Sequence, residues 1–562
     1  MNLLGKAMDK NFWKEVREKE CFTKYREELF YLWKTECEDK ETMALRYSDF
    51  KLYWETGDRS VYERTYFSRR KAMDCAALLS LIYPEEEKYL IKLMDVIYAI
   101  CDEYTWCLPA HQGQLEPNNN VRIDLFASET GFALSEIYTM LEDRLEPLIK
   151  NRILAETERR IVNPFTATDN YGWWEKGTSN WTAVCEGSVA CTLMLLYPDK
   201  VDSAMQERFA KSMECYLSGF TDDGMCLEGC GYWHYGFGFF TVYADMIRKF
   251  TDGKTDYFKR EKIRTIATFI QKMYLSGKSS VSFADGGRTL SYHLGLLHYL
   301  KNEYPDDVLV YDSKYSYNYD GCGRFCLQLR SAIWMDENIL NNPAPDNKSA
   351  EYYAPDSQWL IKRTQNYGFA GKGGNNAELH NHNDVGTFIF AKNGRQVIMD
   401  LGSGQYTRQY FAADTRYTIL ECSSRGHNVP IVDGVNQFTS KDAKATSTKY
   451  ENGVFSMNIA TAYKCDGLSA IDRKFSFTEE SVTLSDSFTY TGNGKITERL
   501  VTLLVPEITE PGTVKIEDVT VKYNPEKCVC TIGSEPKNER ETCYFIDFAL
   551  NKDEKEFRVE IS

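Results

Sequence analysis

The sequence predicts an α+β multidomain chain, helical first and antiparallel β second. Three observations carry that reading. With 562 residues the chain is too long for one core, so two or three domains are expected. Apolar residues follow helical spacing up to about residue 340, and the period then switches to two. Between the two regimes lies "NNPAPDNKSAEYYAPDS" (341–357), rich in Pro, Asn and Ser, which reads as a linker. The expected domains are 1–345 and 346–562.

The helical elements come in pairs. "CAALLSLIYPEEEKYLIKLMDVIYAICDEYTW" gives two helices broken at Pro84. "RIDLFASETGFALSEIYTMLEDRLEPLIKNRILAETERRIVNPF" gives two more, with breakers at Pro147 and Pro164. "NWTAVCEGSVACTLMLLYPD" and "GFGFFTVYADMIRKFTDG" continue the series. Successive helical hairpins of this kind form a bundle, a solenoid or a closed α/α toroid, and pattern alone does not choose among them.

In the second half, "RQVIMDLG", "GVFSMNIATAY", "RKFSFTEESVTLSDSFTYTGNGKI", "RLVTLLVPEI" and "VTVKYNPEKCVCTIG" read as short strands separated by turns, as in an antiparallel sandwich. "FIFAKNGRQVIMD" is a hairpin around Asn393-Gly394, a pair that favours the type I′ turn. His380 and His382 precede its first strand. If that segment is extended, both imidazoles share a face. Asp400 ends the second strand; a plain two-residue turn sets it opposite Thr387, so the entering segment must bend back to reach it. His427, in "RGHNVPIVDG", precedes another β run. Two histidines and a carboxylate suit zinc, and equally suit a polar network that orders strand ends.

Composition narrows the function. The net charge of −15 argues against nucleic acid or an anionic membrane as a general partner, while leaving room for a local basic cleft. No window of about twenty apolar residues predicts a membrane-spanning helix. The N-terminus turns charged within ten residues and has no signal-peptide core. Seventeen cysteines, an odd number scattered without repeated spacing, fit buried thiols in a reducing compartment, so a cytoplasmic location is expected. Thirty-seven tyrosines and ten tryptophans fit large aromatic cores or a cleft that stacks on sugar rings. "FADGGR" (283–288) is a Gly-rich turn without the preceding strand that a phosphate cradle needs.

"HNHNDVGTFIF…QVIMDLGSGQY…YF…RY…HNVPIVDG" resembles the start of the β-sandwich domain of the heparinase II/III-like polysaccharide lyases, relatives of heparin, heparan and alginate lyases. "GTSNWTAVCEGSVACTLMLLYP" and "DDGMCLEGCGYWHYGFGFF" are similar to two of that family's toroid segments. The resemblance implies an N-terminal incomplete (α/α) toroid followed by an antiparallel β-sandwich. It also implies cleavage of uronate-containing polysaccharides or oligosaccharides by β-elimination, leaving an unsaturated uronate end.

That chemistry explains the residue types. The C5 proton lies α to a carboxylate, so the carboxylate must be neutralised before a base removes the proton. An acid then protonates the departing O4. By the resemblance, Asn180 neutralises the uronate, with a helix N-cap as its plainer role. Tyr232 is the general acid, and His380 with Tyr232 supplies the base; Tyr235 competes with Tyr232 for the acid's place. His382, Asp400 and His427 are the zinc ligands, the metal shaping the cleft wall and not activating water. Tyr406, Arg416, His234 and His111 are substrate-binding candidates. Arg416 would clamp an anion or brace the sandwich, His234 would make a structural hydrogen bond instead, and His111 would cap or pack a helix.

A uronate-containing glycan is the expected partner, and oligomeric state is left open, a homo-oligomer included. Two rival functions stay in view. A glycoside hydrolase on an α/α toroid needs two catalytic carboxylates, for which Asp223, Glu228 and Asp285 are available. A non-catalytic uronate-glycan-binding protein would keep the fold and metal without turnover.

Overall fold

Helices dominate the first part of the chain in the computed structural model, which describes residues 2–42, 44–113, 119–311, 315–316, 321–345, 349–492 and 494–562. Part of the expected linker, 346–348, therefore lies outside the described residues. The chain divides into two compact units. One comprises Met1–Gly219, Trp233–Arg264 and Ser291–Ala344; the other comprises Phe220–Tyr232, Thr265–Leu290 and Pro345–Ser562. Two segments of the helical half of the sequence thus belong to the sheet unit.

In the helical unit, helices apolar all round alternate with amphipathic ones. Asn180–Leu196 is buried along nearly its whole length and packs against Leu125–Leu141 and Gly238–Phe250. Phe325–Ile333 lies against Ser60–Ile82, Leu125–Leu141 and Gly238–Phe250. Outer helices such as Glu87–Cys101 and Ser203–Leu217 bury one stripe only. The break at Pro84 falls between Ser60–Ile82 and Glu87–Cys101. Pro147 opens its helix at a position that needs no N–H donor. Pro164 does not stop the chain as expected. A π-turn over Glu158–Val162 runs into Asn163–Thr166, whose first turn tolerates the missing N–H.

The sheet unit holds a five-stranded antiparallel meander in sequence order: Ala350–Ala354, Trp359–Arg363, Gly368–Lys372, Phe388–Lys392 and Arg395–Ile398. An eight-stranded sheet, a four-stranded sheet and a two-stranded one pairing Tyr274–Ser276 with Ser279–Ser280 complete it. Phe369, Phe388, Phe455, Phe475, Leu500 and Phe548, drawn from the three larger sheets, share one buried apolar core. The Asn393-Gly394 turn forms as expected, both residues at positive φ (50° and 84°). A bulge between Phe390 and Ala391 shifts the hairpin register by one, so the simple placement of Asp400 opposite Thr387 does not hold. Among the described residues no helix is long and apolar enough to cross a membrane.

Candidate active site

Three backbone segments of the sheet unit approach closely enough to favour glycine where they meet. A Cβ on Gly402 would come 2.3 Å from the Gly286 carbonyl oxygen. One on Gly229, at φ +108°, would sit 3.1 Å from the Gly286 nitrogen. Ala284 itself takes a left-handed φ of 57°. These contacts bring together the turn 283–288, the stretch leading to Tyr232 and the stretch from Asp400 to Tyr410.

Asp285 is the result. Its side chain is fully buried and takes five donors. Oδ2 accepts from His380 Nδ1 at 2.7 Å and from the Tyr406 hydroxyl at 3.0 Å. Oδ1 accepts from His382 Nε2 at 3.1 Å, from Arg416 Nη2 at 3.3 Å and from the Tyr410 hydroxyl. Burial alone would raise its pKa, but the hydrogen bonds and charge of the two histidines outweigh it and hold the carboxylate far below its usual value.

His380 is 19% exposed and stands at a left-handed φ of 55°, so the entering segment is bent, the alternative to the extended segment in which both imidazoles share a face. Its ring stacks on Tyr232, centroids 4.2 Å apart at 25°. The Tyr232 and Tyr406 hydroxyls are 2.7 Å apart. Because Tyr406 donates to Asp285, it accepts from Tyr232. Burial, then the charge of Asp285, pushes the Tyr232 phenol well above its usual pKa, which keeps it protonated. His380 Nε2 lies 3.6 Å from Glu228 Oε2, beyond hydrogen-bond range. Phe411, 44% exposed, meets His380 and Tyr406 edge-on.

Arg416 braces the loop and does not reach outward. Its donors go to the Tyr410, His380 and Asn381 carbonyls and to Asp285. Of the two roles open from sequence, the geometry favours the brace over the substrate clamp. Asp223 is likewise engaged, accepting from the backbone N–H groups of Asp356 and Ser357.

His382, Asp400 and His427, all fully buried, turn one ligand atom each into a common space, those atoms lying within 4.8 Å of one another. The donor set fits a metal. His427 Nε2–H donates to the Glu421 carbonyl at 2.8 Å, so a neutral ring turns its Nδ1 lone pair to Asp400 Oδ2, 3.1 Å away. His382 Nε2–H is held by Asp285, and its Nδ1 is buried without a hydrogen-bond partner. Histidines fixed from behind by a carbonyl and a carboxylate are a usual arrangement around zinc. Burial works against protonating His427, but contact with Asp400 outweighs it and raises its pKa: the space calls for positive charge.

The remaining candidates lie in the helical unit. Asn180 is the first residue of its helix; Ser179 is the N-cap, so the capping role does not apply. Asn180 is 1% exposed and packs where Gly236 leaves room, a Cβ there falling 3.0 Å from the asparagine Cβ. Tyr232 ends the short helix Cys230–Tyr232, and a π-turn over Trp233–Phe237 follows. That turn carries Tyr235 into a separate cluster, its hydroxyl donating to Glu129 and its ring 3.9 Å beneath the Arg324 guanidinium. His234 is 2% exposed, its ring against Trp233 and Tyr292. His111 pairs with Asp124, the N-cap of Leu125–Leu141, at 2.7 Å and stacks on Phe126.

Sequence reading passed over Tyr410 and Phe411, and took Asp285 only as a spare acid. The signal for Asp285 was present as an acid inside a Gly-rich turn that no phosphate site explained.

No family profile matches the chain, and no curated protein matches it in sequence. Solved structures do match in shape. A heparan sulfate lyase of Pedobacter heparinus, in a mutant form, aligns over 98% of this chain and 92% of its own at 12% identity, TM-score 0.60. A heparinase III with methylated lysines aligns over 100% and 85% at 13% identity, TM-score 0.60. Another heparinase III structure covers 100% and 93% at 13%, TM-score 0.59. The chain therefore has the toroid-plus-sandwich fold of the heparinase III structures.

Proposed function

We propose that this chain is a polysaccharide lyase that cleaves uronate-containing glycans by β-elimination. The observation supporting it is the stacked Tyr232–His380 pair, with Asp285 behind both. A carboxylate only accepts, so His380 donates Nδ1–H to it, and a neutral ring carries its lone pair on Nε2. That nitrogen is the base for the C5 proton. Tyr232, held protonated, is the acid for the departing O4. Asn180 would neutralise the uronate carboxylate, and Phe411 and Tyr406 offer ring faces to the sugar.

His382, Asp400 and His427 would hold a zinc ion. Bound there it would offset the Asp400 charge and stiffen the loop that carries His380. Glycosaminoglycans are the first substrates to test, since a structural neighbour is a heparan sulfate lyase; alginate follows. The hydrolase reading is disfavoured because Asp285 and Asp223 are both engaged in internal hydrogen bonds. A cytoplasmic location remains our reading. It is supported by cysteines none of which forms a disulfide, and it favours short oligosaccharides as substrates.

The test is ultraviolet absorbance during incubation with heparin, heparan, chondroitin, hyaluronan, alginate and short oligomers. A rising signal from the C4–C5 double bond, lost in Tyr232→Phe, is expected. Release of reducing ends without that signal would overturn elimination in favour of hydrolysis. Binding without either product would leave a non-catalytic glycan-binding protein.

A further inference from the structure

Elimination requires a base, an acid and a neutralised carboxylate; nothing in it requires a buried anion at position 285. Yet Asp285 receives donors from the base, from a metal ligand and, through one hydroxyl, from the acid. We propose that Asp285 is the positioning residue of this site, one carboxylate that sets the tautomers of His380 and His382 together and directs the Tyr232 proton through Tyr406. The proposal rests on the lyase reading for its kinetic consequence, but not for its geometry.

A carboxylate offers lone pairs and no proton, so each ring nitrogen facing it is an N–H. His380 faces it with Nδ1 and His382 with Nε2. Two histidines only two residues apart are thereby held in opposite tautomers. The lone pair of His380 lies on Nε2, the side away from Asp285. The lone pair of His382 is thereby left to Nδ1, a buried atom without a hydrogen-bond partner, on a residue that shares its space with Asp400 and His427. One anion thus keeps the base and the metal seat from exchanging roles.

The same logic fixes the third group. Tyr406 donates to Asp285, so its oxygen accepts from Tyr232, and the Tyr232 proton is directed at Tyr406 until a sugar oxygen takes that place. The backbone is built to hold the anion still. Ala284 carries a left-handed φ, Gly402 admits the turn at a distance no side chain would allow, and Gly229 meets it at φ +108° with only tight space for a Cβ. A plain structural brace would need none of this selectivity over which nitrogen faces it.

The test uses the full chain labelled with 15N-histidine, in which ring couplings report the tautomer of each of the seven histidines. His380 and His382 are assigned by His380→Gln and His382→Gln. The intact protein should show Nδ1–H at His380 and Nε2–H at His382; the same tautomer at both overturns the proposal without any variant. Asp285→Asn, which must turn an amide N–H toward donors on one side, should disturb at least one of the two. It should also reduce bound metal and lower kcat about 10- to 100-fold, with KM within about threefold. Tyr406→Phe should lower kcat while leaving both tautomers and the metal content intact. Unchanged tautomers and kcat in Asp285→Asn would overturn the proposal with the lyase reading standing. If no glycan is eliminated by the intact protein, the lyase reading fails, and the tautomers and metal content alone decide the role of Asp285.

Discussion

Each unit buries a carboxyl group completely, and the two end in opposite states. Asp285, in the sheet unit, accepts five hydrogen bonds, and its pKa is driven far down despite burial. Glu186, on the inner helix Asn180–Leu196, has neither oxygen in a hydrogen bond of good geometry. Burial, then the charge of Glu175, drives its pKa well above the usual range, with Arg208 and Ser212 only partly opposing. Burial is common to both, so donors decide whether a carboxyl becomes a fixed anion or a neutral acid. An anion that collects donors can orient chemistry around itself, whereas a neutral buried acid is filler with a pH-dependent cost.

The sharpest way to break the comparison is at the groups Asp285 organises. Tyr232→Phe should lower kcat by about 10²- to 10⁴-fold with KM nearly unchanged, read from ultraviolet progress curves. Tyr235→Phe should move kcat little. It should instead cost about 1–3 kcal/mol of stability, because the buried Glu129 loses one of its donors and keeps only others such as Arg324. If Tyr235→Phe is the variant that stops turnover, the acid belongs to the helical unit and the comparison collapses.

Next in size is the metal seat. Purified protein should carry about one divalent cation per chain, and His427→Ala should carry none. Dialysis against a chelator should lower the melting temperature, and zinc should restore it, in line with a stabilisation of roughly 2.7 kcal/mol at a hundredfold excess over Kd. A melting temperature indifferent to chelator and zinc would leave the triad as a hydrogen-bonded strand-end network.

Arg416→Lys separates a brace from an anion clamp. Lysine cannot reproduce the fork that meets three carbonyls and Asp285. The expected loss is about 1–3 kcal/mol in denaturant unfolding, with KM unchanged in the surviving folded enzyme. A KM rising tenfold at unchanged stability would return Arg416 to the substrate.

Local signals made much of this legible. The proline breaks at Pro84 and Pro147, the switch from helical to alternating period and the Asn-Gly turn survive in the structure, because each is a property of a few adjacent residues, whereas Pro164 falls in a first turn that tolerates it. His382, Asp400 and His427 could be named because a resemblance supplied what spacing could not. Asp285 was not legible as a hub, since its five partners lie between 95 and 131 residues away in sequence. Nor was the separation of Tyr232 from Tyr235. A π-turn between them shifts the helical phase, and no residue preference marks where such a turn falls.

Glu186 gives the smallest effect and the cleanest check on the rule. Above the unfolded carboxyl's value near 4.5, the unfolded chain releases its proton while the folded one retains it. The folded state then binds more protons, so stability falls as pH rises, from that value up to the raised folded pKa. The slope from this one group is at most about 1.4 kcal/mol per pH unit. Glu186→Gln removes the titration, so its stability between pH 5 and 8, followed by denaturant midpoint, should decline less steeply than that of the parent. The variant can be weaker at pH 5, since an amide brings a second N–H into the same dry site, and still prove the point through its slope. Parallel curves for the two proteins would mean that Glu186 is ionised when folded, and that burial without donors does not by itself keep a carboxyl neutral here.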